Sequence, residues 1–309
     1  CYLLSEVKIM RDFAYSIDRD YQRVMDFLAA TFDPELQASN WFPSRWEYMH
    51  YHPYFDKANA NKIRIWEMDG DIVAIVHYEM RLGEAYFEFL PGYEFLKEEM
   101  FLYALDNLYQ PTPENDRQLI LFLNESEEDQ GLTDLAVTHM FERLEDYPQC
   151  MSVFDLSENS LDYSLPEGFS ACSLAEENDL NKISRVLWRG FNHPGEPDMQ
   201  QELADRKLMQ SAPNYDKRLN VVIKTPDGHY GSYAGIWYEP SHNIAYVEPV
   251  ATDPDDRRMG LGKAAVLESI KAVHSLFGAD KAYVGTAIDF YLSLGFKELY
   301  CNWAWKKIY

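Results

Sequence analysis

The stretch IAYVEPVATDPDDRRMGLGKAAVLESI, from Ile244 to Ile270, decides how this chain is read. It begins as a strand: Ile244, Tyr246 and Glu248 alternate with Ala245 and Val247, and β-formers dominate. Pro249 interrupts it. A proline has no N–H to give to a ladder, so the strand must bulge there or lie at an opened edge. A polar turn follows, Thr252-Asp253-Pro254-Asp255-Asp256. Then Arg257-Arg258-Met259-Gly260-Leu261-Gly262 runs into a helix with Ala264, Ala265, Leu267 and Ile270 on its apolar side. Strand, basic glycine loop and helix start together make an anion site. The N–H groups of a first helical turn have no intrahelical partner, and the helix dipole adds roughly half a positive charge there. Glycine lets a phosphate come close to the backbone, and Arg257, Arg258 and Lys263 add formal charge.

Two common phosphate loops do not fit. Gly262-Lys263 is followed by Ala264, not by the serine or threonine of a P-loop. Gly260-x-Gly262 is followed by Ala265, not by the third glycine of a dinucleotide fingerprint. What remains is R-x-x-G-x-G after a strand, read as Arg257, Gly260 and Gly262. Downstream come a strand, KAYVG at 281–285, and DFYLSLGF at 289–296, with Tyr291 four residues before Gly295-Phe296. Loop, helix, strand and Y-x-x-x-G-F in that order resemble the GCN5-related N-acetyltransferase (GNAT) family, over roughly Phe169 to Tyr309.

The resemblance implies acetyl-CoA as acyl donor and direct attack by a primary amine in a ternary complex. It implies that Val250, Ala251 and Thr252 run beside the pantetheine arm, with the Thr252 N–H polarising the carbonyl. Arg257, Arg258, Met259, Gly260, Leu261, Gly262 and Lys263 would hold the pyrophosphate. Glu248 maps to a base and Tyr291 to the acid that protonates the departing thiolate. If the strand is regular, Glu248 shares a face with Thr252, four residues on; a bulge at Pro249 would turn it away. His193 and His242 are alternative bases. One departure from the family stands seven residues before Tyr291, where Val284 replaces a common asparagine. The loop GFNHPGEPDMQQ at 190–201 corresponds to the usual acceptor wall, and Trp188, Phe191, His193, Trp237 and Tyr238 are candidate substrate residues.

The first half repeats the second without its loop. An Asp69-Gly70 hairpin, a strand and Ala85-Tyr86-Phe87-Glu88 parallel an Asp227-Gly228 hairpin, a strand and Ala245-Tyr246-Val247-Glu248. Helical segments at 23–32 and 185–191 hold similar places. Where the second copy has its basic glycine loop, the first has FLPGYEFLKEE, acidic and with one glycine. The expected fold is therefore α/β: two tandem acyl-CoA N-acyltransferase domains, each a mixed, mostly antiparallel sheet flanked by helices. Residues 1–160 form a degenerate copy and 161–309 the catalytic one, with the junction in the polar stretch 157–168. Within the first copy the sequence predicts a short strand and a helix over 1–33. An irregular aromatic stretch follows over 36–56, then helices around 94–108 and 132–145.

Composition agrees. A chain of 309 residues suits about two domains, and a hydrophobic content of 47% supplies their cores. The net charge is −23, concentrated in residues 1–165, where 12 Lys+Arg face 32 Asp+Glu. This argues against a nucleic-acid partner, and the field favours a cationic amine substrate. No run approaches the ~20 apolar residues of a membrane span, and the N-terminus has no signal-peptide pattern. Cys1, Cys150, Cys172 and Cys301 show no metal or redox spacing, so a cytoplasmic protein without a metal is expected, as monomer or homodimer. A non-catalytic acetyl-CoA sensor and an acyltransferase for a thiol-linked metabolite are the rival readings.

Overall fold

A computed structural model describes residues 9–33, 41–124 and 130–309. Parts of two sequence expectations, at 1–8 and 36–40, lie outside the described residues. The chain forms two compact units. One takes the described residues up to His50, Tyr54–Gln149 and Tyr300–Tyr309; the other takes Tyr51–Pro53 and Cys150–Leu299.

In the first unit β1 (Met10–Ala14), α1 (Ile17–Thr31) and α2 (Pro43–Tyr51) precede β2 (Arg64–Met68), β3 (Asp71–His77) and β4 (Glu84–Phe89). Then come α3 (Lys97–Asn107), the short β5 (Gln110–Pro111), β6 (Arg117–Asn124) and α4 (Gln130–Thr138). β7 (Glu142–Asp155) leads into the second unit, which holds β8 (Ser170–Ser173), α5 (Leu180–Gly190), α6 (Met199–Met209), β9 (Val221–Lys224) and β10 (Tyr230–Glu239). β11 (Ile244–Thr252), α7 (Leu261–Phe277), β12 (Lys281–Val284), α8 (Asp289–Leu294) and β13 (Lys297–Ile308) complete the chain.

The repeat read from the sequence is a repeat of pairing. In the first unit β1/β2, β2/β3 and β3/β4 are antiparallel, β4/β6 is parallel, and β6/β13 is antiparallel. In the second, β8/β9, β9/β10 and β10/β11 are antiparallel, β11/β12 is parallel, and β12/β7 is antiparallel. The parallel pair is short both times: Glu84–Ala85 with Ile120–Leu121, and Ile244–Tyr246 with Lys281–Tyr283. Ala85 and Ala245, the first residues of the repeated A-Y-x-E, both sit in it. Asp69 and Gly70 have φ of 54° and 103°, as the expected type I′ turn requires.

In the second unit strand alternation loads both faces of the sheet. Val222, Tyr233 and Ala251 pack with Ile183, Val186 and Leu187 of α5. Ile223, Ala234 and Ile236 pack with Leu261, Ala265, Leu267 and Ile270 of α7. Of the two polar residues before the apolar run, Asn178 and Asp179, it is Asp179 that caps α5, accepting from the N–H groups of Asn181 and Lys182.

Two local expectations fail. The aromatic stretch holds a helix, α2. Seven of its nine residues are buried, so it presents no polar face and leaves no periodic signal. The helix expected over 132–145 stops at Thr138; Met140 takes a left-handed φ of 60° and the chain re-emerges as β7.

Candidate active site

The bulge expected at Pro249 is present. Val247 lies opposite Ile236 and Val250 opposite Ala234, so Glu248 and Pro249 together face Gly235. Gly235 has to be glycine, since a Cβ there would stand 2.8 Å from the Glu248 carbonyl oxygen and 2.8 Å from Asn220 Oδ1. An inserted residue reverses strand alternation. Ala245 and Val247 face α7, but beyond the bulge it is Ala251 that packs toward α5. The Thr252 hydroxyl meets the Ser232 hydroxyl at 3.0 Å and lies near Gly262 of α7. The reversal falls between Glu248 and Thr252, so the two do not share a face.

The same strand frees backbone groups. The Asp253 N–H donates to the Gly231 carbonyl at 2.9 Å. In an antiparallel ladder bonded and non-bonded pairs alternate, so Thr252, opposite Ser232, points its N–H away from β10. On that side β12 has already parted, its pairing ending at Tyr246 and Tyr283.

Past β11 the chain turns through Arg258, left-handed at φ 65°, and Gly260, at φ 79°, into α7. A side chain other than glycine in that region is uncommon and concentrates at functional sites. A Cβ on Gly260 would meet nothing nearer than the Ser164 carbonyl at 4.0 Å, so the backbone is approachable there. Gly262 is the opposite case: a Cβ would lie 3.0 Å from Thr252 Oγ1 and 3.2 Å from the Phe290 ring, because α7 is pressed against β11 and α8.

A cleft of about 610 Å³ opens over this loop. Its lining includes Val250, Ala251, Thr252, Arg257, Arg258, Gly260, Leu261, Gly262 and Lys263 from the expected set, and Tyr291 from α8. Phe191, Gly190, Ile288 and Phe290 also line it. Met259 is in the loop but not in the lining, and is 39% exposed. Arg258 and Lys263 make no hydrogen bond or ion pair among the described residues, so their charge is available to an anion. Burial, then the nearby Glu248 charge, pushes the Tyr291 phenol above its ordinary value, which keeps it protonated.

A charge network that the sequence reading missed holds the loop from below. The Asp253 carboxylate is fully buried and pairs with Arg185 Nη1 at 2.7 Å and Arg189 Nε at 2.8 Å. Arg189 also reaches Asp255 at 2.6 Å. Burial raises the Asp253 pKa, but the Arg189 hydrogen bond, the Asp255 N–H and the two arginine charges more than offset this and hold it below the carboxylate range. His229 Nε2 meets Asp256 Oδ2 at 2.7 Å. His229, Asp253 and Asp256 lie close enough to suggest a cation site, but two guanidinium groups already neutralise Asp253. Arg185 and Arg189 stand one helical turn apart on α5, ahead of an aspartate-rich turn, and that spacing was the available signal.

Residues 180–296 match the model of the acetyltransferase (GNAT) family. They are a GNAT domain. The matched span runs from the start of α5 to Phe296 and takes in both the loop and Tyr291. Across the whole chain the fold resembles the tandem GNAT protein from the clavulanic acid biosynthesis pathway, with 13% identity, 97% of this chain and 98% of that one covered, and a TM-score of 0.64. It also resembles a GCN5-related N-acetyltransferase from Sphaerobacter thermophilus, with 14% identity, 97% and 95% covered, and a TM-score of 0.63. At such identity these likenesses establish the fold, a tandem GNAT arrangement, and nothing finer. No curated protein matches the sequence.

The remaining candidates separate around the GNAT cleft. Phe191 is 49% exposed and lines it. Trp188 lies against His193 at 4.7 Å and donates its indole N–H to the Gly195 carbonyl at 3.0 Å; neither Trp188 nor His193 is part of the cleft lining. Trp237 is buried and donates to the Glu248 carbonyl at 3.1 Å, which places it under the bulge, outside the cleft lining. Tyr238 stacks on Phe277 at 4.3 Å, beside a separate 320 Å³ cavity near the far end of α7. His242 lies before the start of β11 and so ~25 Å of strand from the loop.

Among its described residues the first unit has no such loop. Between β4 and α3 the Gly92 N–H donates to Glu94 Oε1 at 2.9 Å. The N–H groups of Gly92 and of Glu94 itself hold that carboxyl below its usual range. A carboxylate of the chain thus occupies the amides that a phosphate would need. Among the described residues no helix is long and apolar enough to cross a membrane.

Proposed function

We propose that the second unit transfers an acetyl group from acetyl-CoA to a primary amine on a small, cationic molecule, by direct attack in a ternary complex. The observation that carries this reading is the convergence on one cleft of two uncommitted cations, Arg258 and Lys263, an approachable Gly260 at a helix start, and Tyr291. The pyrophosphate of the donor would lie on the Gly260–Lys263 amides, with Val250, Ala251 and Thr252 along its pantetheine arm.

Chemically, a neutral amine nitrogen attacks the thioester carbon. The C–N bond forms and the C–S bond breaks; the Thr252 N–H stabilises the oxygen as charge develops on it. Tyr291, held protonated, gives its proton to the thiolate. Glu248 takes the proton from nitrogen; since the bulge separates its face from that of Thr252, a water relay fits better than direct contact. The net charge of −23 supports a cationic acceptor. The first unit contributes no second donor site, because Glu94 satisfies its turn amides.

Calorimetric titration with acetyl-CoA and with CoA, followed by release of CoA thiol against a panel of amines, tests the reading. One site per chain with release for a cationic amine supports it. Binding without release on any amine moves the chain to the sensor reading, and absence of binding removes the loop assignment.

A further inference from the structure

The first arginine of R-x-x-G-x-G is not placed like the second. Arg257 donates from Nη2 to the Gly190 carbonyl at 2.8 Å and to Asn192 Oδ1 at 3.1 Å, and from Nε to the Thr252 carbonyl at 3.3 Å. Three of its five N–H protons are thus committed to the chain, two of them to the end of α5. Asn192 is left-handed, φ 57°, and its own N–H closes onto Arg189 at 3.0 Å. From the other direction Arg189 reaches out of α5 to Asp253 and Asp255 in the turn. Two arginines thus tie the same two segments in opposite senses. Between them the backbones touch: a Cβ on Gly190 would lie 2.7 Å from Ala251 Cβ and 3.1 Å from the Thr252 nitrogen.

We infer that Arg257 is a positioning residue, whose guanidinium locks the end of α5, and with it Phe191, onto the anion loop, leaving Arg258 and Lys263 as the phosphate charges. The inference rests on the reading of the cleft as an acyl-CoA site for its consequence, though not for its geometry. To turn to a phosphate, Arg257 would have to release three hydrogen bonds to carbonyl and amide oxygens. Arg258 has none to release. Phe191 is the exposed aromatic of the acceptor wall. A donor that steadies the loop therefore steadies the wall, and the two substrates sense each other through Gly190 and Asn192.

The test combines salt-dependent binding of CoA with amide exchange of residues 190–193. Arg258→Gln should weaken CoA about tenfold at low salt and flatten the dependence of log Kd on log salt, as loss of a phosphate charge does. Arg257→Gln should leave that slope unchanged and weaken CoA less than about threefold, while exchange at 191–193 rises about tenfold or more. In the unaltered chain, saturating CoA should slow exchange at 191–193; in Arg257→Gln it should not. Asn192→Ala removes one acceptor and no charge, so it should loosen the same amides and keep the slope, which covers the case in which Arg257→Gln fails to fold. An Arg257→Gln slope flattened as far as that of Arg258→Gln would make Arg257 a phosphate ligand and overturn the inference. So would unchanged exchange at 191–193 in both tether variants. If the unaltered chain binds no CoA, the acyl-CoA reading falls, and exchange without CoA still decides the tether.

Discussion

Asp253→Asn is the perturbation whose cost the structure defines best. The carboxylate is 0% exposed. It accepts from Arg189 Nε at 2.8 Å and Nη2 at 3.0 Å and from the Asp255 N–H at 3.1 Å, and it pairs with Arg185 at 2.7 Å. The amide keeps the shape and loses the charge, and its NH₂ confronts guanidinium donors. Breaking a buried ion pair by changing one partner costs about 3–5 kcal/mol. Arg185 and Arg189 are each 39% exposed, so water recovers part of what they lose, and about 2–3 kcal/mol is expected. For a unit of this size that lowers Tm by roughly 4–12 °C, measurable by scanning calorimetry at pH 7. The sign of the pH dependence follows from the depressed folded pKa of Asp253. Its stabilisation is fully present above the unfolded value of ~3.9 and is lost as pH falls through the folded value. The gap between the two proteins should therefore be full at pH 5–7 and close in more acidic solution. A Tm shift below about 1 °C at pH 7, or a gap that persists unchanged into acid, would refute the electrostatic account of the loop's support.

Gly260→Glu should abolish CoA binding in titration calorimetry, because the side chain brings a like charge and a φ of 79° that glycine alone adopts easily; retained affinity would remove the loop from the site. Tyr291→Phe should lower turnover by roughly 10²-fold with CoA affinity little changed. Because the phenol is raised, the alkaline limb of the unaltered enzyme should lie above the ordinary tyrosine value of ~10, and turnover insensitive to the substitution would end Tyr291's role as acid. Gly235→Ala should cost about 1–3 kcal/mol through overpacking against the Glu248 carbonyl and Asn220. It should also reduce acetyl-CoA affinity by displacing the bulge; a neutral substitution would show that the bulge yields freely.

What the sequence made legible was local. Strand, Pro249, basic glycine loop and helix are contiguous from Ile244 to Ile270, and contiguous residues carry their own geometric consequences. The missing proline N–H points to the bulge and to a Glu248 that the bulge separates from Thr252; which residues the bulge spans follows only from the pairing with β10, where Glu248 and Pro249 together face Gly235. The repeat was legible because Ala85 and Ala245 begin the same short parallel pair. α2 escaped because a helix buried on nearly every side has no amphipathic stripe. The Arg189–Asp253 tie spans 64 residues, and neither partner alone marks the other. Arg257 was assigned by its motif, while its orientation is set by Gly190 and Asn192, which no motif contains.

The pairing of β13 with β6 has a consequence for how the chain is made. Asn302 meets Asn124 at a separation of 178 residues, and Asn302–Ile308 covers Gln118–Asn124 along its length. At a synthesis rate of ~5–20 residues per second, the apolar segment Leu119–Leu123 emerges roughly 10–35 s before its partner exists. Over that interval the first unit presents a hydrophobic strand with one side unsatisfied, the form of edge that recruits other chains. A ribosome that stalls or terminates before the codon for Asn302 therefore releases a product prone to association. The last seven paired residues act as the closing step of a unit whose other strands were translated first.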